Sequence, residues 1–302
     1  SASSVISSWT LEDSDRHPFF VESDSFLLQF PVTGDNIEQI NLFLCLEKSS
    51  TVEFKLLAGT GHHRNLPGPC LYSTTLNVSE PSEGWMEICP KCSNLEAGWY
   101  FLEVNCPQTF SIPLQQNSLP GVLLYRKMTS HDSKIINAFG QHLPVLAQNP
   151  GPSPGPLLQV SPISTAYEAE NVASVNHRPT SLPDLWVSQP TDFKYPEFLE
   201  IKWEQPKDIS KIEITFDPSY DFIFGKKPES YESAFMTSLV KEYKIYYYDL
   251  SGHSHLLDHV ENNLHSFVCH DFSSLRITGL ELEVLSTYGL NRAQVYQIRV
   301  YS

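Results

Sequence analysis

Short apolar runs separated by turn residues, with almost no helical periodicity, constrain this chain more than any other feature of its sequence. Between residues 25 and 105 the runs fall at 26–30, 40–46, 52–57, 71–78, 85–89 and 98–104. In Val52, Phe54 and Leu56 against Glu53 and Lys55 the alternation is clean, so this run predicts a half-solvated strand. Residues 40–46 are apolar on nearly both faces, which predicts a central strand. The signal returns after residue 162, at 200–203, 211–216, 242–248, 266–269, 274–277, 281–285 and 295–301. Ile212, Ile214 and Phe216 face one way while Lys211, Glu213 and Thr215 face the other, and Tyr243, Ile245 and Tyr247 repeat the pattern. Such a chain is expected to be all-β, two sandwich or jelly-roll-like domains, and not an α/β enzyme fold.

At 302 residues the chain is long enough for two cores of about 150 residues each. The Pro/Gly tract centred on residues 149–156 resists regular hydrogen bonding and marks the join. The expected organisation is a β-sandwich over 1–140, a linker over 141–162 and a second sandwich over 163–302. The one plausible longer helix covers residues 130–139, capped by Ser130 or Asp132.

Lys and Arg number 20 against 35 Asp and Glu, a formal charge of −15, which argues against nucleic acid as a partner. No apolar run approaches the ~18 residues of a membrane span. The low charged fraction, 18%, leans toward an extracellular or periplasmic protein. Asn77-Val78-Ser79 is a glycosylation acceptor triplet, and it does not decide the compartment.

Several motifs tempt a catalytic reading. Gly59-Thr60-Gly61-His62-His63-Arg64 begins like a dinucleotide fingerprint, but the third glycine is missing and no acidic residue closes a βαβ unit. Cys89-Pro90-Lys91-Cys92 has the spacing of a redox dithiol or half a zinc site, and Cys70 and Cys106 would complete a set of four. Disulfides, a less favoured zinc, and free thiols all stay open for Cys70, Cys89, Cys92 and Cys106; Cys45, in an apolar strand, reads as a buried side chain. His253, His255, His259, His265 and His270 gather around a Gly252 hairpin tip and read as surface histidines, with a metal site as the minor alternative. Asp217-Pro218-Ser219-Tyr220-Asp221 follows a strand and suits a turn or a calcium-binding loop. No nucleophile elbow is present, so no catalytic residue is assigned.

Residues 164–302 carry Tyr167-Glu168-Ala169-Glu170-Asn171-Val172, Asn176-His177-Arg178-Pro179-Thr180, Asp184-Leu185-Trp186-Val187-Ser188 and Glu200-Ile201-Lys202-Trp203. Further on come residues 209–217, 240–245, 282–289 and 293–301, and in this order the set resembles the discoidin-like, coagulation-factor type C jelly-roll modules. It looks most like the version appended to certain bacterial FAD-dependent oxidoreductases. The resemblance implies a non-catalytic sandwich whose end loops hold a carbohydrate, a lipid head group or a protein surface, often beside a structural calcium. The family's early asparagine and loop tryptophan look like Asn171 and Trp186. The cysteine pair that clamps other members is missing, since Cys269 is the one cysteine in this half. For residues 20–115 no such likeness is defined, although 95–104 look like strands of accessory β-sandwich modules.

A sugar site needs an aromatic face beside polar groups that reach hydroxyls. The candidates are His177, Arg178, Asp184, Trp186, Tyr195, Tyr220, Asp221, Tyr288, Asn291 and Arg292. For Trp186 and Asp184 the competing readings are a core anchor and a turn cap. The expected function is binding of a glycan or cell-surface ligand without catalysis; the alternative is a structural module packed on a catalytic domain or partner subunit.

Overall fold

A computed structural model describes residues 19–60, 66–115, 122–127, 142–144, 155–175, 182, 184–188, 195–218, 238–290 and 292–302. The helix expected at 130–139 and the histidines His62 and His63 lie outside these residues, as does the centre of the Pro/Gly tract. The described chain is all-β; a 3-10 turn at Ala169–Ala173 is the helical element among the described residues.

Twelve strands precede that turn: β1 (Phe19–Val32), β2 (Asn36–Ile37), β3 (Gln39–Leu46), β4 (Ser50–Thr60), β5 (Leu66–Val78), β6 (Ser82–Ile88), β7 (Cys92–Ser93), β8 (Gly98–Gln115), β9 (Leu123–Lys127), β10 (His142–Pro144), β11 (Gly155–Pro156) and β12 (Leu158–Ser161). The spine is β8. Its first half lies between β1 and β4, and its second half pairs with the start of β1 and with β11, touching β3 at Ser111 opposite Cys45. Val52, Phe54 and Leu56 are buried, while Glu53 and Lys55 pair with each other outside at 3.0 Å. β3 is central as its two apolar faces require, with β6 along one edge and β12 along the other. Phe26 and Phe110 meet edge-on at 5.0 Å in the core; each fully buried side chain of this size contributes about 1.5–3 kcal/mol.

The end of the Pro/Gly tract takes part in the first sheet. Leu158 and Val160 pair with Leu42 and Ile40, and Asn41 Nδ2 donates to Gln159 Oε1 at 3.2 Å. Apolar Leu157 and Leu158 anchor this segment, and both are buried.

Six strands follow: β13 (Trp186–Val187), β14 (Glu197–Phe216), β15 (Val240–Tyr248), β16 (Ser254–Val260), β17 (Phe267–Thr287) and β18 (Gln294–Tyr301), in the order β13-β18-β14-β17-β15-β16. Runs expected as separate strands are fused here, because β14 and β17 each continue through both layers of a sandwich. Residues 207–215 of β14 pair with 267–277 of β17, and residues 197–202 pair with 279–284, with an irregularity between Lys202 and Lys207. One layer adds β18 and β13, and the other adds β15 and β16. Opposite this irregularity Gly279 has no room for a side chain: a Cβ there would stand 2.8 Å from the Ile201 carbonyl oxygen. Between the layers Leu199, Leu280, Leu282 and Ile245 pack with Ile212 and Ile214 in one core.

A polar tie crosses that core. His270 in β17 is held between the phenol of Tyr243 (β15), 3.1 Å from Nε2, and the carboxylate of Asp258 (β16), 2.6 Å from Nδ1. Tyr243 is fully buried and His270 nearly so, which corrects the expectation that all the histidines of this region lie on the surface. The physical reason is that the mixed run SHLLDHV forms β16 and sets the half-exposed Asp258 carboxylate against the imidazole.

Candidate functional site

Both bending strands bring their far ends to one end of the second sandwich, which is stitched across its loops. Ser188 N–H donates to Ala293 O at 2.9 Å, Asp217 N–H to Gln294 O at 3.3 Å, and Tyr288 N–H to Leu239 O at 3.1 Å. The hydroxyls of Tyr195 and Thr287 both donate to Leu290 O. Of the described candidates, Tyr195, Tyr288 and Arg292 lie in the connections of this end, Trp186 pairs with the start of β18, and Asp184 stands two residues before Trp186; His177, Arg178, Tyr220, Asp221 and Asn291 lie outside the described residues.

Their roles differ. Trp186 is buried in the main core, so its expected place as a ligand platform is corrected. The cause is β13: pairing of Trp186 with Val295 turns the indole inward, while Leu185 and Val187 pack with Tyr296 on the other side. Asp184 stands at φ 45°, a left-handed conformation that aspartate tolerates and most residues do not, so it shapes the turn entering β13. Asn171 fixes the same turn, its amide donating to Thr165 O at 3.0 Å and Leu185 O at 3.4 Å.

Three groups remain along the rim. Tyr288 exposes 37% of its surface, and the Lys241 ammonium lies 5.8 Å from its ring centre. Arg292 is largely enclosed; burial pulls its guanidinium down to about 10, opposed by the charge of the buried Glu197 and by Tyr167. It therefore keeps its charge at neutral pH. The Tyr195 phenol is pushed up to about 12 by burial, with the Thr287 hydroxyl working against the shift and the Glu197 charge adding to it. It stays a neutral hydrogen-bonding group. Among the described residues the arrangement offers an aromatic face and a directional cation.

The opening between the layers is not a ligand pocket: about 10 Å³ lined chiefly by Leu199, Ile201, Ile212 and Ile214 is a packing gap of about one water's size. The four cysteines proposed for a bridge or zinc are free and separate. Cys106 is buried beside Ser50 Oγ at 2.9 Å, Cys70 is exposed on β5, Cys89 points to Glu87, and Cys92 to Pro90 O. β5 pairs with β4 alone, and the Cys89–Cys92 turn follows β6, so no common register gathers them. At the other end Asp249 accepts from Ser251 N–H, His253 N–H and His255 Nε2, closing the Gly252 turn.

The described chain is thus all-β, with a two-layered second sandwich presenting an aromatic and a cationic group at one end. No protein-family model matches the sequence, and no curated protein does. Solved structures do. The family 32 carbohydrate-binding module of Streptococcus pneumoniae EndoD matches with 16% identity and a TM-score of 0.36, over 46% of this chain and 88% of that one. The family 32 module of Clostridium perfringens NanJ, in complex with galactose, matches at 15% and 0.34, over 46% and 88%. A further Clostridium perfringens module, CpGH89CBM32-5, in complex with GalNAc-β-1,3-galactose, matches at 12% and 0.34, over 45% and 84%. At these scores the likeness carries no argument about ligand or chemistry. Among the described residues no helix is long and apolar enough to cross a membrane.

Proposed function

We propose that residues 163–302 form a non-catalytic recognition module that binds a carbohydrate at the end carrying Tyr288 and Arg292, on a protein that works outside the cytoplasm. The observation that carries the reading is the rim itself: an exposed tyrosine ring and an enclosed guanidinium on the 287–293 segment, which suit the apolar face and the hydroxyls of a sugar. The resemblance of residues 164–302 to discoidin-like modules supports it. A protein surface is the second reading, favoured by Leu264 and Val175, which are 67% and 83% exposed.

Glycan-array screening followed by calorimetric titration, with and without calcium, tests the proposal. Tyr288→Ala should weaken binding by about 5–30-fold, the equivalent of ~1–2 kcal/mol, with the melting temperature unchanged. Absence of any glycan binding tighter than millimolar would overturn it, and a stoichiometric protein captured at the same rim would establish the second reading instead.

A further inference from the structure

The open end of the β15–β16 hairpin places two carboxylates and an imidazole together. The last pair in register is Tyr243 with Val260; Glu242 precedes Tyr243, Glu261 follows the end of β16, and His259 stands two residues before Glu261. His259 Nε2 lies 3.0 Å from Glu242 Oε1, and one donor atom from each of Glu242, His259 and Glu261 lies within 4.8 Å of the others. The backbone holding them is fixed. Asn263 N–H donates to Lys241 O at 2.8 Å, its side-chain amide donates to Val240 O and His265 O at 2.9 Å each, and its Oδ1 accepts from His265 N–H at 3.0 Å.

Two carboxylates this close repel. The nearby lysines do not relieve them: Lys244 is turned to Glu283 at 3.5 Å, and Lys241 lies over the Tyr288 ring. Among the described residues His259 approaches Glu242, its Nε2–H donating to Oε1, and a bound ion would take the place of that proton. Two carboxylate oxygens and one imidazole nitrogen form a donor set suited to borderline divalent transition ions; calcium and magnesium prefer oxygen donors alone. Separations of this size need only side-chain rotation to bring three donors to about 2.0–2.2 Å from one ion, with the remaining positions left to water.

We propose that Glu242, His259 and Glu261 form a surface binding site for a divalent transition metal, with Zn²⁺ as the representative ion. The site is separate from the Tyr288–Arg292 rim in its residues and its chemistry, so either reading stands or falls without the other.

The test is calorimetric titration of Zn²⁺ into the metal-stripped full chain, repeated with Co²⁺ and followed by visible absorption. Six cysteines and the Asp249–His255 pair are competing ligands, which sets the controls. The expected result is a site of micromolar affinity that weakens by about 10-fold or more in both His259→Ala and Glu261→Gln. It should persist in His255→Ala, and its Co²⁺ spectrum should lack thiolate charge-transfer bands. Melting curves of the metal-free variants confirm that each folds. Binding unchanged in His259→Ala, binding lost in His255→Ala, thiolate bands at the first equivalent, or no binding below millimolar zinc would each overturn the proposal.

Discussion

Tyr243→Phe isolates the polar tie across the second sandwich, because it removes one hydroxyl and leaves the ring. The Tyr243 ring packs against Phe216 at 5.0 Å and meets His270 edge-on at 5.9 Å, contacts that phenylalanine keeps. What disappears is the hydrogen bond to His270 Nε2, in a place where Tyr243 is 0% exposed and water cannot substitute. A typical net hydrogen bond is worth about 1 kcal/mol, and a buried nitrogen left unsatisfied raises the cost, so about 1–3 kcal/mol is expected. Out of a total stability of roughly 5–15 kcal/mol this is readily measured. Tyr301→Phe is the matched control: it loses a 2.7 Å bond to Glu213 at an exposed position, where about 0.5 kcal/mol or less is expected. Urea denaturation followed by tryptophan fluorescence should separate the two, since Trp186 and Trp203 belong to or pack on the same core. Base should report the tie as well. Burial, and then the Asp258 charge, push the Tyr243 phenol far above its ordinary 10.0, so the folded state holds a neutral group that the unfolded chain ionises first. Stability is therefore full below pH 10 and falls as pH rises above it, and Tyr243→Phe should lose that component. If the two variants cost the same within 0.5 kcal/mol, the inference that the relay joins the layers is wrong.

Two glycines give opposite expectations. Gly279→Ala should cost about 1–3 kcal/mol by urea denaturation, since the new Cβ would meet the Ile201 carbonyl at 2.8 Å and backbone cannot rotate aside. Gly84→Ala, where nothing lies within 4 Å, should be neutral or stabilise by about 0.5–1 kcal/mol through the unfolded chain. In acid, Asp249 controls the hairpin tip: the His255 hydrogen bond first, then the backbone amides, lower its carboxyl from 3.8 to about 2. Its contribution is present above pH 4 and is lost as pH falls toward 2, so Asp249→Asn should flatten the acid limb of a stability-versus-pH curve, and an unchanged limb would refute the assignment.

Alternation was legible wherever a strand kept one face wet. Val52, Phe54 and Leu56, and likewise Ile212, Ile214 and Phe216, point inward as their spacing requires. Fusion of runs into β14 and β17 was not legible, because an irregularity such as that between Lys202 and Lys207 breaks the period of two that defines a strand. β16 was not legible for a different reason: its run is mixed and mostly exposed, and only the fold shows that Asp258 meets His270 from the other layer. Cysteine spacing left bridge, zinc and free thiol open, since a C-x-x-C turn says nothing about which strand carries Cys70 or Cys106; the fold leaves all four as free thiols.

The site shows how far residue type alone can be read. Tryptophan between polar loops has the composition of a ligand platform, but the two-residue β13 is too short to display a period, and its pairing with β18 decides that Trp186 is core. Tyr288 and Arg292 share that composition without sharing its fate. They follow the last residue of β17 and precede β18, where the chain has left one strand and not yet joined the next. A bend that folds β14 and β17 back over themselves makes this connection a neighbour of Ser188, Tyr195 and Glu197, residues about 90 or more positions away in sequence. The geometry of this rim therefore depends on the two long strands keeping their register. A variant such as Gly279→Ala, at the far end by the bend, should weaken ligand binding only in proportion to the unfolding it causes; a loss of affinity in fully folded protein would mean that the bend sets the rim's geometry directly.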